Sequence, residues 1–341
     1  MTKKYRPTVR DVAREAGVSI ATVSRTLSRP DDVNVETRKR VQEVVEKIGY
    51  RANRAAVEFR RGRSHTLLVL VSDITNAFFS EFFKGIEEEA RSNGFVLLIG
   101  DTSENAENER VYSDMLLMNQ AGGLILNTYG FPEGLLPLQS GDTYFGPPLV
   151  SCSGHKDIDL PSVRIDDALG GRLAGEHLIN LGHRDIIQIC GPLQVHGFER
   201  RYFGFCQVLK SAGVTLRPER DFIGNLSTEF GEEMARRLSE MKDPPTAAFV
   251  HNDETAIGLL HGLQNLGIRV PEDISIIGYD DMPYASVFNP ELTTLHLPRR
   301  EWGRSACRML ISILESEASA EKKVIIPPTL MVRKSTAPAR R

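Results

Sequence analysis

Cysteine is scarce and scattered in this chain. Cys152, Cys190, Cys206 and Cys307 form no C-x-x-C pair and have no ladder of histidines nearby. That spacing argues against a zinc framework or a disulfide scaffold, and the thiols read as reduced residues of a cytoplasmic protein, mostly in its core. Long apolar runs are missing too: none approaches the roughly 20 residues of a membrane span. The opening MTKKYRPTVRDVA carries no apolar h-region, so a secretory leader is not expected. The signatures G-x-G-x-x-G, G-x-x-x-x-G-K-[ST] and G-x-S-x-G are absent. His155, His183, His196 and His251 have no partners close in sequence and read as core or surface histidines. An enzyme is therefore not expected, and neither a catalytic residue, a cofactor nor a metal is assigned.

What is present points elsewhere. A chain of 341 residues is too long for one ordinary core and predicts two or three domains. With 41% hydrophobic and 26% charged residues, its composition is that of a soluble globular protein. The net charge of −3 hides an asymmetry: residues 1–65 hold 16 Lys/Arg against 8 Asp/Glu, and the remainder 26 against 37. A basic head on an acidic body is the footprint of a polyanion partner. On charge alone a solvated face is the better reading, so the weight falls on the pattern within the head.

That head reads as three helices. Thr8 and Asp11 make a capping box at the start of a helix over Val9–Ala16, with Val12, Ala13 and Ala16 as its apolar stripe. Gly17 breaks it. Ser19 caps a second helix, in which Val23 and Leu27 fall one turn apart and face inward. Ile20, Ala21, Thr22 and Arg25 are left outward, small or polar side chains with one Arg. Asn34 caps a third helix carrying Val41, Val44, Val45 and Ile48 and ending before Gly49-Tyr50. A helix, a Gly-containing turn and a capped helix form a helix-turn-helix, whose second helix enters the major groove. A plain three-helix bundle explains the apolar positions but not the polar face from Ile20 to Arg25. The basic, Ala-rich stretch that follows, Arg51 to Ser64, is a linker or a conditionally formed helix.

From residue 65 the chain alternates strands and helices. Near-continuous apolar strands are expected at Thr66–Asp73, Phe95–Asp101, Gly123–Leu126, Leu149–Cys152, Asp185–Cys190, Ala247–His251 and Ile274–Tyr279. Amphipathic helices are expected near Glu81–Ser92, Glu107–Gln120, Gly171–Leu181, Arg200–Ala212 and Thr255–Leu266. Such alternation means parallel sheets covered on both faces, and about nine strands exceed one compact sheet, so two doubly wound halves are expected. Ligands bind beyond the carboxyl ends of such strands. Asp73, Asn76, Phe78 and Phe79 follow the first strand there. Asn252 and Asp253 follow "AAFVH", and Asp280 and Asp281 follow "SIIGY". An Asp or Asn at such a junction often caps the next helix, and Asp253 is assigned that role.

Residues 8–63 resemble the head of the lactose/galactose repressor family of bacterial transcription regulators, in "TVRDVAREAGVS-ATVSR-L", "ETRKRV" and "GYRANRAA". The likeness runs through the body in "DITNAFFSE", "GGLIL", "TAAFVHNDETAIG", "RVPEDISIIGYDD" and "LTTLHLP", where it is most similar to the cytidine- and purine-repressor branch. The resemblance implies a helix-turn-helix head over 1–50 and a hinge over 51–64. It implies a periplasmic-binding-protein-like α/β body of two subdomains, 65–164 with 296–324, and 165–295 with 325–341. It gives base reading to Ile20, Ala21 and Arg25, and phosphate contacts to Thr8, Thr22, Asn34, Thr37 and Tyr50. Asn53, Arg54 and Ala56 take hinge positions in the minor groove, with Phe59 as the wedge where the family usually carries Leu. Ala52 stands where the family usually has Pro. In the body, the resemblance adds Arg201 and Leu226 to the effector residues.

Aromatic faces with carboxylates, an amide and an Arg suit a polyhydroxylated or ribose-like ligand. Cys152 replaces an acidic residue frequent in relatives, and Val195 and Gly197 replace polar ones, which argues against a purine. The implied partners are operator DNA, a sugar, sugar acid, polyol or nucleoside, and a second copy of the chain, with no membrane. "TAPARR" carries no leucine heptad, so a dimer rather than a coiled-coil tetramer is expected. A transport-type solute-binding protein would share the body, but not the basic head.

Overall fold

The computed structural model of the chain describes residues 7–50, 64–140, 143–155, 158–214, 221–316 and 322–340. They fall into two compact units, residues 1–64 and 65–341. The hinge positions Asn53, Arg54, Ala56 and Phe59 lie outside the described residues.

The first unit holds α1 (Val9–Ala16), α2 (Ile20–Ser28) and α3 (Val35–Ile48). The Asp11 carboxylate accepts from the Thr8 backbone N–H at 2.9 Å and from its hydroxyl at 2.7 Å. The Ser19 hydroxyl accepts from Thr22 N–H at 3.1 Å, and the Asn34 amide oxygen from Glu36 N–H at 2.9 Å. These side chains satisfy donors that a helix start leaves open. Gly17 and Gly49 both sit at φ +65°. There the chain reverses, and the following N–H groups of Val18 and Tyr50 reach back to Ala13 O and Val45 O, each at 3.0 Å. Val12, Ala13, Ala16, Val23, Val41 and Val44 make the buried core. Leu27 departs from its expected inward position: it is 39% exposed, and Thr26 is buried instead, donating its hydroxyl to Thr22 O at 2.9 Å. The core lies on the i+3 side of Val23, so the i+4 residue turns to the rim.

The second unit runs β1 (Thr66–Val71), α4 (Phe79–Ser92), β2 (Val96–Asp101), α5 (Ala106–Leu117), β3 (Gly123–Asn127), β4 (Gln139–Ser140), β5 (Thr143–Tyr144), β6 (Leu149–Ser151) and β7 (Ser162–Ile165). It continues with α6 (Asp167–Asn180), β8 (Ile186–Cys190), α7 (His196–Ser211), β9 (Asp221–Ile223), α8 (Thr228–Ser239), β10 (Ala247–Val250), α9 (Asp253–Asn265) and β11 (Ser275–Ile277). Then come β12 (Thr294–His296), α10 (Arg299–Leu314), β13 (Lys323–Ile326) and β14 (Thr329–Met331).

One sheet has the order β13-β7-β6-β3-β1-β2 and another β11-β10-β8-β9, and both are parallel throughout. The antiparallel pair β12–β14 is a separate two-stranded sheet, tied to the end of β11 by bridges between Ile277 and Thr293 and between Asp280 and His296. The chain leaves the first sheet after Ile165. It sends α10 back to pack on that sheet, and adds β13 beside β7. The tail then returns to the second half, where Ile276 N–H donates to Ser335 O at 2.8 Å.

Strand β1 shows why the runs are unbroken. Leu67, Val69 and Val71 pack with Phe82, Ile86, Trp302 and Leu310, while Leu68 and Leu70 face Leu116, Leu124 and Leu126. In the second sheet Ala247 and Phe249 pack with Phe205 and Leu178, and Ala248 and Val250 with Met234 and Leu259. Both faces of both sheets are therefore covered by helices. Each fully buried Leu, Ile or Phe contributes about 1.5–3 kcal/mol over its exposed state. Among the described residues, no helix is long and apolar enough to cross a membrane.

Candidate functional site

The carboxyl ends of both sheets open on one cavity of about 590 Å³. Asp73, Asn76, Phe78, Phe79, Arg201, Leu226, Asn252 and Asp280, picked from sequence on strand-end and family grounds, all line it. Sequence reading did not single out Asp167, Tyr129, Arg164, Phe198 or Trp302, which line it too. His196, read as a core or surface residue, also lies on its wall.

Arg201 comes from α7 and is 7% exposed. Its Nε and Nη2 donate to Asp167 Oδ1 at 3.2 and 2.7 Å, and its Nη1 donates to His251 O. The guanidinium lies 3.3 Å from the centre of the Tyr279 ring, whose hydroxyl donates to the same Asp167 oxygen at 3.0 Å. Every strong donor direction of Arg201 but the cleft-facing edge is thus fixed, which aims the group rather than leaving it to search.

Asp280 follows β11 at φ +113°, a rare conformation for a residue with a side chain, and is 8% exposed. Its N–H is held by Leu295 O at 2.9 Å, while no hydrogen bond to its carboxylate is found among the described residues. Burial pushes its acidity well below that of an ordinary carboxyl, against the opposing field of Arg201. Asp253 beside it is fully buried, accepting from Met282 N–H at 2.7 Å and the Thr294 hydroxyl at 2.6 Å. Burial lifts its pKa to about 7.

Asp253 does not cap α9, contrary to the sequence reading. Asn252 does, its amide oxygen accepting from Thr255 N–H at 3.0 Å and its amide nitrogen donating to Leu226 O at 3.1 Å. The swap has a simple cause: the cap is the last extended residue, and the helix starts earlier than the spacing suggests, at Asp253 itself. Two other expected ligand residues also spend oxygens locally. Asp73 accepts from Thr75 N–H and hydroxyl at 2.7 and 2.6 Å, and Asn76 from Phe78 N–H at 2.9 Å.

Aromatic faces close the cavity from both halves. Phe78 packs edge-on against Phe79 and Trp302 at 5.2 and 6.2 Å. Tyr129, after β3, meets Phe198, from α7, at 5.9 Å. Burial pushes the Tyr129 hydroxyl up to about 12, helped by Glu104, Asp73 and Asp280. Among the described residues no group of His, Cys, Asp and Glu could hold a metal ion. The cavity can hold a small molecule by stacking and by charge-assisted hydrogen bonds.

In the first unit, Ile20, Ala21 and Arg25 are exposed on α2, with Ile20 at 43%. Arg25 has no ion-pair partner among the described residues. Thr8 and Asn34 are exposed at helix starts, while Thr22, Thr37 and Tyr50 are half-buried, Tyr50 packing on the valine core. Ile20 and Arg25 thus leave this face of α2 open to a partner.

A helix-turn-helix unit, followed in the chain by two parallel sheets that open on one ligand-sized cavity, defines a ligand-binding DNA regulator. Residues 8–53 match the model for bacterial regulatory proteins of the lacI family, and residues 176–336 that for a periplasmic binding protein-like domain. The chain is 33% identical over 330 residues, 96% of both chains, to the HTH-type transcriptional repressor CytR of Escherichia coli strain K12. It is 32% identical over 331 residues, 97% of both chains, to the HTH-type transcriptional repressor PurR of Erwinia tasmaniensis. The lac repressor dimer bound to operator and the anti-inducer ONPF is similar at a TM-score of 0.86 and 26% identity, covering 98% of this chain and 100% of that one. A LacI family regulator from Enterococcus faecium with bound ribose is similar at 0.71 and 29%, covering 81% and 100%. The chain belongs to the LacI family of bacterial DNA-binding transcriptional regulators. These homologues are regulators and not enzymes.

Proposed function

We propose that this chain is a cytoplasmic, effector-controlled repressor that binds a palindromic operator as a homodimer. Its signal is a sugar, sugar acid, polyol or nucleoside held in the cavity. The observation that carries this reading is the convergence of strand ends from both sheets on Asp280, a buried carboxylate without a hydrogen bond of its own among the described residues, facing the same cavity as Arg201. A polyhydroxylated ligand supplies the donors that this carboxylate lacks, and its C–H faces stack on Phe78 and Tyr129. Asp73, Asn76, Phe79, Leu226 and Asn252 shape the remainder. The relative with bound ribose supports a ligand of this kind.

On DNA, Ile20, Ala21 and Arg25 read bases. Thr8, Thr22, Asn34, Thr37 and Tyr50 hold phosphates, and Asn53, Arg54, Ala56 and Phe59 act in the minor groove. The relative crystallised as a dimer on its operator supports this assignment. In the body, 65–164 with 296–324 form one half and 165–295 with 325–341 the other. A thermal-shift screen of sugars, sugar acids, polyols and nucleosides on the full chain tests the reading. At least one compound should raise the melting temperature and alter operator binding, and Asp280→Asn should remove both effects. Stabilisers that act equally on wild type and variant would place the ligand elsewhere.

A further inference from the structure

We infer that the effector carries an oxyanion, a carboxylate or a phosphate, received by Arg164 with Asn127, Ser153 and His196 on one wall of the cavity. This inference rests on the cavity being the effector site. Four buried polar atoms there have no hydrogen-bond partner among the described residues: Asn127 Nδ2, Ser153 Oγ, Arg164 Nε and His196 Nδ1. All four residues line the cavity. Asn127 ends β3, Ser153 follows β6 and Arg164 lies in β7, three neighbouring strands of one sheet, while His196 opens α7.

The four atoms share one chemistry. An amide nitrogen and a guanidinium nitrogen donate only, and a hydroxyl can donate. Arg164 Nη1 lies 2.9 Å from His196 Nε2. Because a guanidinium cannot accept, His196 Nε2 is the acceptor and its ring proton sits on Nδ1, which makes the fourth atom a donor as well. Burial holds the His196 ring below the usual imidazole range, with Arg164 and Arg200 adding to the effect. The nearest carboxylate oxygen to Nδ1, on Glu199, is 3.9 Å away, beyond hydrogen-bond reach.

Charge points the same way. Arg164 has no ion-pair partner among the described residues, whereas Arg201 is answered by Asp167 at 2.7 Å. Nearby carboxylates are already spent. Asp166 caps α6 through Leu169 N–H at 2.9 Å, and Asp167 serves Arg201 and Tyr279. A cluster of buried donors around an unpaired cation is costly unless an anion with several acceptor oxygens meets it. A neutral hydroxyl accepts one or two bonds and leaves the Arg164 charge unanswered. Asp280, whose carboxylate has no hydrogen bond among the described residues, then takes hydroxyls of the same ligand, so the cavity is polarised from donors to acceptor.

Matched ligand sets titrated calorimetrically into the full chain test this: a hexose, its hexuronate and its hexose phosphate; a pentose, its pentonate and its pentose phosphate; a nucleoside and its monophosphate. In at least one set an anionic member should bind roughly ten- to hundredfold more tightly than its neutral parent, the value of charge-assisted hydrogen bonds. Which anion wins distinguishes carboxylate from phosphate. Arg164→Gln should erase the preference, and Arg164→Lys should restore part of it, with the free variants melting no lower than wild type. The inference is overturned if no anion binds. It is also overturned if a neutral parent binds as tightly as its anions and Arg164→Gln changes nothing, an outcome that leaves the cavity reading intact. If Asp280→Asn weakens binding of no compound that binds, the cavity reading itself fails.

Discussion

Asp280 owes its place to two constraints that act against each other. Its backbone is fixed at φ +113° by the turn after β11 and by the bond to Leu295, while its carboxylate is buried without a hydrogen bond among the described residues. Strain and an unanswered polar group together are the mark of a residue held for a ligand rather than for stability. Asp280→Asn keeps the size of the side chain and removes its charge. We expect effector binding to weaken by about 1.5–3 kcal/mol while the ligand-free protein melts no lower than wild type. A variant that melts several degrees lower and still answers effector would make Asp280 a brace of the turn.

Asp253 carries a pH signature. Its folded pKa is raised to about 7 by burial, above that of an unfolded aspartate. The native chain therefore binds a proton that the unfolded chain has released. The stability linked to it is fully present below the unfolded range and is lost as pH rises through about 7. Melting temperature should fall between roughly pH 5 and pH 8, and Asp253→Asn should flatten that slope. A rise over the same interval would contradict the assignment. On the DNA side, Arg25→Ala should cost about 1–3 kcal/mol and relax preference at one base pair in each half-site. Equal weakening on every sequence would make Arg25 a phosphate contact.

Residues such as Asp73, Asn252 and Asp280 were legible because a polar residue directly after an apolar strand marks the ligand end of a parallel sheet. Arg201 and Leu226 needed the family resemblance. Asp167, Tyr279 and Arg164 were not legible. Asp167 reaches Arg201 across 34 residues and Tyr279 across 112, and no local pattern announces such partners. Arg164 interrupts an apolar strand, which reads as a surface charge until the neighbouring strand ends are seen beside it. The cap fell to Asn252 rather than Asp253 because a small shift in a helix start is beyond what spacing resolves.

At the scale of elements, the helices α6 and α7 cross at glycines. A Cβ on Gly171 would strike the Arg201 carbonyl, and one on Gly204 the Ala168 carbonyl. These are backbone obstacles, so a methyl group can be fitted only by moving the helices apart. Gly→Ala at an open helix position gains roughly 0.5–1 kcal/mol, whereas overpacking costs about 1–3 kcal/mol. We expect Gly171→Ala to lower stability in urea and to weaken effector binding with it, since Arg201 rides on α7. An unchanged midpoint with normal effector affinity would show that the crossing yields freely.

The same scale shows where sequence patterns carry and where they fade. β1, with "LLVLV" buried on both faces, is unmistakable, as is the third helix with its valines at helical spacing. Helices α8 and α10 give weaker signals. The first opens on "TEFGEE" and the second on "RREWGR", where charge and glycine mask the apolar stripe that packs on the sheets. Strands β7, β9, β12, β13 and β14 have three or four residues each, too few for a period to register. Leu27 lost its inward place to Thr26 because the position of the core around α2 depends on how α1 and α3 meet it, which no single helix encodes.

Across the whole molecule, a basic head and an acidic, ligand-binding body lie on one chain, and the function proposed for it is their coupling. Binding of the head to DNA should release counterions, so log affinity should fall linearly with log salt concentration. Coupling between effector and operator must be reciprocal: whatever factor the effector imposes on DNA affinity, DNA imposes on effector affinity. The sign decides between inducer and corepressor, but the equality does not depend on it. The most direct measurement takes a DNA duplex selected by the full chain from a random pool and an effector found by the thermal-shift screen. Effector affinity is measured by calorimetry with and without the duplex, and duplex affinity by anisotropy with and without the effector. Both should change by the same factor, about 5- to 150-fold for couplings of ordinary size, and Asp280→Asn should bring both factors toward one. Duplex and effector affinities that ignore each other, with each ligand bound tightly, would contradict an effector-controlled regulator.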